Sequence, residues 1–430
     1  MSATGLPGPG AAGPFGAAVT GWQQWVEASC RRVDAAGQWR RPRTFDARGP
    51  VGHLTGAAAT GVVSFASNDY LGLSTHPAVA AAAHAALDRW GAGSGASRLV
   101  TGSRPVHADL EAALAGWKGC ERAVLLPTGF AANLSVLEVF AAEGAHVFSD
   151  ELNHASIIDG CRAARAGVTV YRHGDLDQLD EQLGRSPGRP VVVTDTVFSM
   201  DGDAADLEGL VEVTGRHGAL LVLDEAHAVL GPELPADAAG GAAGVVDILR
   251  VGTLSKTLGS LGGFVAGPSR FIELLENRAR PYIFTTAPTP ADAAAGRAAL
   301  EVVRSAEGDE LRARLRRHVA RVSAVLGRDG HPSPIVPVVI GEESRAVEAS
   351  ADLLELGLWV PAIRPPTVPP GTSRLRVTLS AAHTDDQVDR LVAALAGLGL
   401  SGPSGESPLG AAAGPLAGTG RRTGGAVVAP

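Results

Sequence analysis

An apolar run, Ala219 to Leu223, ends in Asp224-Glu225-Ala226-His227. An unbroken apolar run of this kind marks a strand buried on both faces of a parallel sheet, and ligands of open α/β sheets bind outside the carboxyl ends of such strands. Further on, Ile248 to Gly252 reads as a second short strand that delivers Thr253, Ser255 and Lys256 to the same edge. One lysine flanked by two hydroxyls therefore faces an aspartate and a histidine.

That set suits an aldehyde cofactor with a phosphate and a ring nitrogen, pyridoxal phosphate (PLP). A lysine forms a Schiff base with the aldehyde, hydroxyls and backbone N–H groups hold the phosphate, and an ionised aspartate keeps the pyridine nitrogen protonated. His227, beside the aspartate, can reach the ring hydroxyl. Taken singly, a Ser-Lys pair reads as a solvated loop and an Asp after a strand as a cap or turn residue. Both at strand ends, in this order, outweigh those readings.

Length and composition bound the rest. The 430 residues suffice for a large domain plus a smaller one. A net charge of -8 and scattered arginines argue against nucleic acid or an anionic membrane as the main partner. Cys30, Cys120 and Cys161 are far apart and suggest neither a disulfide framework nor a metal site. No apolar run reaches a membrane-spanning length, and the first residues lack a signal-peptide pattern, so the expected location is cytoplasmic.

Residues 1–18 and 401–430 are rich in Gly, Pro and Ala and are expected to be disordered tails. Residues 19–61 form an N-terminal helix and arm. The helix over Thr20 to Ala36 puts Trp22, Trp25 and Val26 on one face that can pack on a partner subunit. From Val62 strands and helices alternate: Pro77 to Trp90 helix, Ala123 to Leu126 strand, Ala131 to Ala142 helix and Val147 to Ser149 strand. Ser156 to Ala166 follows as helix, Val168 to Tyr171 as strand, Leu176 to Leu183 as helix and Val191 to Thr194 as strand. This predicts an α/β large domain over 62–290 with a mostly parallel sheet, and a smaller α+β domain over 291–400 that opens with a helix near Ala291.

Other polar groups fall at the carboxyl ends of these strands. Thr128-Gly129-Phe130 opens a helix whose N–H groups and dipole suit a phosphate. His154, in Asn153-His154-Ala155-Ser156, either lies flat on a bound ring or caps the next helix. Ser199, in the Val197 to Asp203 stretch, either touches the ring hydroxyl or is a turn serine.

Asn68 to Leu73, Gly95 to Gly102, Asn153 to Ser156, Phe198 to Asp203, Asp224 to His227 and Thr253 to Lys256 together resemble the α-oxoamine synthases. These PLP enzymes have the aspartate-aminotransferase fold and join an amino acid to an acyl thioester with loss of carbon dioxide. The resemblance covers about Asn68 to Thr384. Within the family, Tyr282 to Thr286, Ala362 to Pro369 and Ser373 to Arg376 are most similar to the biotin-pathway member. That enzyme joins L-alanine to a pimeloyl thioester of coenzyme A or a carrier protein.

The resemblance implies Lys256 as the Schiff-base lysine, Asp224 at the pyridine nitrogen, His227 and Ser199 near the ring hydroxyl, and His154 stacked on the ring. It implies Gly129, Phe130, Thr253 and Ser255 at the phosphate. Thr285 and Thr286 would reach the phosphate of the other subunit's site, which makes the enzyme a homodimer. Asn68 and Arg376 would hold the amino-acid carboxylate, Thr367 would face the acyl substrate, and Arg40 stands for an N-terminal arginine that contacts substrate. Three departures from the family pattern concern the fit of phosphate and substrate. They are Leu126-Pro127-Thr128 before Gly129, Asp195 where a longer acid is common, and a short Ala228 to Gly231 loop after His227. The alternatives are 2-amino-3-ketobutyrate coenzyme A ligase, against which Thr285-Thr286 and Arg364 to Pro369 speak, and a non-catalytic regulatory subunit, which would be expected to lack its lysine.

Overall fold

The computed structural model describes residues 20–35, 37–57, 61–235 and 246–400, so the expected tails at 1–18 and 401–430 lie outside the described residues. The chain falls into two compact units, Met1–Thr44 and Phe45–Pro430. In the first, the expected helix forms over Gly21–Ala35 with no buried residue. Trp22, Trp25 and Val26 are exposed, and the two indoles meet edge to face at 5.7 Å.

The second unit is built on a seven-stranded sheet. Its strands are β1 (Arg122–Leu126), β2 (Ala145–Asp150), β3 (Gly167–Tyr171), β4 (Arg189–Asp195), β5 (Leu220–Asp224), β6 (Ile248–Thr253) and β7 (Gly263–Gly267). Their order is β1-β7-β6-β5-β4-β2-β3. Five strands from β6 to β3 are parallel, as the alternation of strands and helices requires; β7 is wedged antiparallel between β1 and β6. Side chains alternate between the two faces. Val191, Val193 and Val222 pack with Val136 and Leu137 of the helix Gly129–Phe140, while Val192, Leu221 and Leu223 pack on the opposite face with Leu179 and Leu210. Burial on both faces explains why β4 and β5 read as continuous apolar runs. Strand β3 lies at the edge, and its Val168 and Val170 are exposed.

Strands β4 and β5 end in step, with Asp195 opposite Asp224. A single apolar cluster continues from Leu110, Leu254 and Phe264 to Leu300, Val319, Leu375 and Leu391. It carries a three-stranded antiparallel sheet of Ile335–Gly341, Ser373–Thr378 and Ala362–Ile363. Every residue of Ser373–Thr378 is buried, Arg374 and Arg376 included. The segment after strand Val62–Ser64 is tied to this sheet's end: Thr378 N–H donates to the Phe65 carbonyl at 2.8 Å and Ala381 N–H to the Tyr70 carbonyl at 2.8 Å. Asn68 and Tyr70 are thereby brought beside Arg376. Among the described residues no helix is long and apolar enough to cross a membrane, and no group of three or more His, Cys, Asp or Glu is placed to hold a metal ion.

Candidate active site

The carboxyl ends of β4, β5 and β6 bring Asp195, Asp224 and Lys256 together. The chain has two lysines, Lys118 and Lys256. Lys256 Nζ lies 2.8 Å from His227 Nε2. Burial holds the Lys256 ammonium below its ordinary pKa, opposed by the nearby Asp224 and Asp195 carboxylates. His227 is pushed well below the usual imidazole range, first by burial and then by the Lys256 and Arg376 charges, so it is neutral. Its Nδ1 meets Tyr70 Oη at 2.5 Å.

Asp224 is buried and held by two donors. Asn133 Nδ2 donates to Oδ2 at 2.6 Å and Ala226 N–H to Oδ1 at 2.9 Å. Asn133 also donates to Ser156 Oγ at 2.8 Å, and that hydroxyl lies 2.8 Å from His154 Nδ1. His154 is the cap of the helix Ala155–Ala163, accepting the Ser156 N–H at 3.2 Å. Its own backbone N–H donates to Asp195 Oδ2 at 2.7 Å. The shorter acid at 195 therefore fixes the backbone on which His154 stands. Burial and the Asp224 charge raise Asp195 well above the usual carboxylate range. Burial also lowers His154, against the pull of Asp224.

At the other side of Lys256, Thr253 Oγ1 and Ser255 Oγ are 2.7 Å apart beside the start of the helix Gly129–Phe140. A Cβ added to Gly129 would lie 3.2 Å from Thr253 Cβ, a tight contact, so the helix start sits close against the hydroxyl pair. Thr128 Oγ1 accepts the Ala131 N–H at 3.0 Å, and the half-exposed Phe130 ring meets His154 edge on, with centroids 6.5 Å apart.

Arg376 faces this cluster. Nε donates to the Ser199 carbonyl at 2.5 Å, Nη1 to Thr378 Oγ1 at 2.9 Å and Nη2 to Asn68 Oδ1 at 3.2 Å. Among the described residues no carboxylate pairs with it. Two residues earlier on the same face of the strand, Arg374 is instead paired with Asp201. Ser199 thus meets Arg376 through its backbone carbonyl.

Thr285, Thr286 and Thr367 stand outside this cluster. Thr285 and Thr286 follow the short helix Arg280–Ile283, and among the described residues no hydrogen bond joins them to it. Thr367 is exposed in a loop and donates its N–H to the Arg364 carbonyl at 3.1 Å. Arg40 belongs to the N-terminal unit, where it is exposed. The short loop after His227 has no regular structure, and residues 236–245 beyond it are not among those described. Sequence reasoning missed Tyr70 and Asn133. A signal existed for Asn133, an amide in a mainly apolar helix, one turn after Gly129. Tyr70 had none beyond its place next to Asn68, because its partner His227 is distant in sequence.

This arrangement on a mostly parallel α/β sheet defines a PLP-dependent transferase. The family described as Aminotransferase class I and II matches residues 60–395, and the chain belongs to it. Within that class its curated relatives are 8-amino-7-oxononanoate synthases. That of Anaeromyxobacter dehalogenans is 51% identical over 385 residues, covering 86% of this chain and 94% of the relative. That of Paraburkholderia xenovorans is 46% identical over 382 residues, covering 86% and 96%. A solved serine palmitoyltransferase of S. paucimobilis with a bound PLP–myriocin aldimine has a TM-score of 0.79 and 31% identity, covering 87% of this chain and 98% of its own. The 8-amino-7-oxononanoate synthase of Francisella tularensis has a TM-score of 0.65 and 25% identity, covering 78% and 97%. The chain is thus an enzyme of a PLP-dependent acyltransferase family, and these curated relatives are named 8-amino-7-oxononanoate synthases.

The residues present fit the cofactor. A partly buried amine of lowered pKa, a buried carboxylate, an exposed imidazole and a hydroxyl pair beside a helix start match an aldehyde, a pyridine nitrogen, a ring face and a phosphate in turn.

Proposed function

We infer that this chain condenses L-alanine with a pimeloyl thioester to give 8-amino-7-oxononanoate, carbon dioxide and the free thiol. Its relatives' names support the product. The observation that carries the reading is Arg376: a buried guanidinium that no carboxylate of the described residues pairs with, beside Asn68 and facing the neighbourhood of the lysine. Burying such a cation is costly unless an anion completes it, and the carboxylate of an amino acid does so.

When bound, PLP supplies an electron sink that stabilises negative charge at the Cα of the amino acid. The chain supplies the rest. Arg376 and Asn68 hold the substrate carboxylate and so fix which Cα bond stands perpendicular to the ring. The Lys256 amine, kept below its ordinary pKa by burial, takes the Cα proton as general base. Asp224, held by Asn133 and Ala226, stays directed at the ring nitrogen, and His154 covers the ring face. Thr253, Ser255, Gly129 and Phe130 receive the phosphate. Overall, a bond forms between the alanine Cα and the thioester carbonyl carbon, the thiolate leaves, the carboxylate departs as carbon dioxide, and a proton returns to the Cα.

Thr285 and Thr286, apart from the cluster of their own chain, serve the phosphate of a second copy in a homodimer, and Thr367 faces the acyl chain. The purified protein with PLP, given alanine, glycine or serine and acyl thioesters of graded length, is expected to release a product of the mass of 8-amino-7-oxononanoate from alanine and pimeloyl thioester. A product from glycine and acetyl-CoA in preference would overturn the substrate assignment and leave the site intact.

A further inference from the structure

Four hydrogen bonds join the proposed base to the proposed carboxylate clamp, and their donors can be worked out. Tyr70 Oη donates to Asn68 Oδ1 at 3.2 Å, and Arg376 Nη2 donates to the same oxygen at 3.2 Å. A phenol has one proton. Burial raises the Tyr70 pKa, so the hydroxyl keeps it. Tyr70 Oη also lies 2.5 Å from His227 Nδ1, so its one proton has two acceptors in reach. The Lys256 ammonium, 2.8 Å from His227 Nε2, has donors and no acceptor, which makes Nε2 the accepting nitrogen. A neutral imidazole carries one proton, which then sits on Nδ1 and leaves the Tyr70 proton to Asn68. The pattern runs Lys256 to His227 to Tyr70 to Asn68, with Arg376 closing it from the far end.

We propose that Tyr70 is a positioning residue that sets the proton on both sides of the site. It locks His227 in the Nδ1–H tautomer, so that Lys256 donates to Nε2. Together with Arg376, it also holds the Asn68 amide with Oδ1 turned inward, so that Nδ2 is the group left to donate to a substrate carboxylate. Tyr70 does neither chemical step itself. It is fully buried, with its ring in the main apolar cluster, and it connects residues far apart in sequence. The amide lock rests on the reading of Asn68 and Arg376 as the carboxylate clamp; the tautomer lock does not.

The test uses the full-length protein free of cofactor, with isotope-labelled imidazole nitrogens observed by NMR, His227 being assigned by the signal lost in His227→Asn. The wild type is expected to show Nδ1–H for His227. Asn68→Ala frees the Tyr70 proton for His227 Nδ1 and is expected to reverse the tautomer to Nε2–H. Tyr70→Phe keeps the ring that packs in the core and is expected to give a mixture. Where Nε2–H donates to the neutral lysine amine, reductive methylation of Lys256, read by mass, moves to lower pH, by about one unit in Asn68→Ala, a tenfold change at fixed pH, and by less in Tyr70→Phe. With PLP added, Tyr70→Phe is expected to raise the amino-acid KM several-fold beyond its effect on kcat. Nε2–H in the wild type overturns the proposal on its own. So do a tautomer and a Lys256 profile unchanged in folded variants. An intact tautomer lock with no KM effect would instead count against the carboxylate reading of Asn68.

Discussion

Burial opposes a charge on His173, but its two acidic neighbours outweigh burial. Nδ1 lies 3.0 Å from Asp150 Oδ1 and Nε2 lies 2.7 Å from Asp203 Oδ2, and together they carry its pKa up to about 10. Asp203 closes the stretch that presents the Ser199 carbonyl to Arg376, so this pair helps to hold the clamp. A folded pKa raised above the ordinary 6.5 adds stability that is fully present below 6.5 and is lost as pH rises through about 10. Urea titrations across that window should show wild type more stable than His173→Gln at pH 6, with the gap closing towards pH 11. A gap that widened with pH would contradict the charge on His173. At this scale the sequence was legible where a polar group ends an apolar run, as with Asp224 and Lys256. It was silent on contacts between distant segments, so Asn133 and Tyr70 emerge only from the fold. His154 shows a third case: of the two readings offered, the structure shows the helix cap, through Nδ1, and stacking on a ring belongs to the proposed function.

Among the elements, β5 and β6 owe their alignment partly to Glu225, the residue after Asp224. Its carboxylate meets Lys118 Nζ at 2.6 Å and Arg250 Nη2 at 2.6 Å, and Arg250 Nη1 donates to the Lys118 carbonyl at 2.7 Å. This ties the end of the helix Pro105–Lys118 to both strands behind the site. Glu225→Ala leaves two buried cations without their anion and is expected to cost about 3–5 kcal/mol in urea unfolding. A loss below about 1 kcal/mol, the range of an exposed pair, would show that water reaches the triad. The strands β4 and β5 were legible because burial on both faces leaves an unbroken apolar signature. Strand β7 was not: it is short, it begins and ends in glycine, and a Cβ on Gly263 would strike the Thr128 carbonyl at 2.3 Å. Small residues required by close packing look like a turn in sequence. The helices Pro77–Trp90 and Leu176–Leu183 fall where their proline start or polar cap puts them.

For the whole molecule, the proposal of composite sites makes a prediction that no single subunit can meet. A Thr285→Ala/Thr286→Ala double variant and Lys256→Ala should each be inactive or nearly so. Random reassociation of equal amounts should restore about one quarter of wild-type activity, because half the dimers are mixed and one of their two sites is intact. Heterodimers without recovery would place the threonines' role within their own chain. The fold class and the sheet edge that carries the site followed from the sequence, since motif order survives where apolar runs and polar ends alternate. The placement of Thr285, Thr286 and Thr367 relative to a substrate did not, because it depends on groups beyond one chain. The account rests above all on which lysine holds the cofactor. With two lysines in the chain, and Lys118 engaged by Glu225 and lying 3.8 Å from the Trp117 ring, the choice is binary. Borohydride reduction of the PLP-loaded protein, followed by peptide mass analysis, should find the pyridoxyl group on Lys256. A pyridoxyl group on Lys118, or on neither lysine, would contradict the site described.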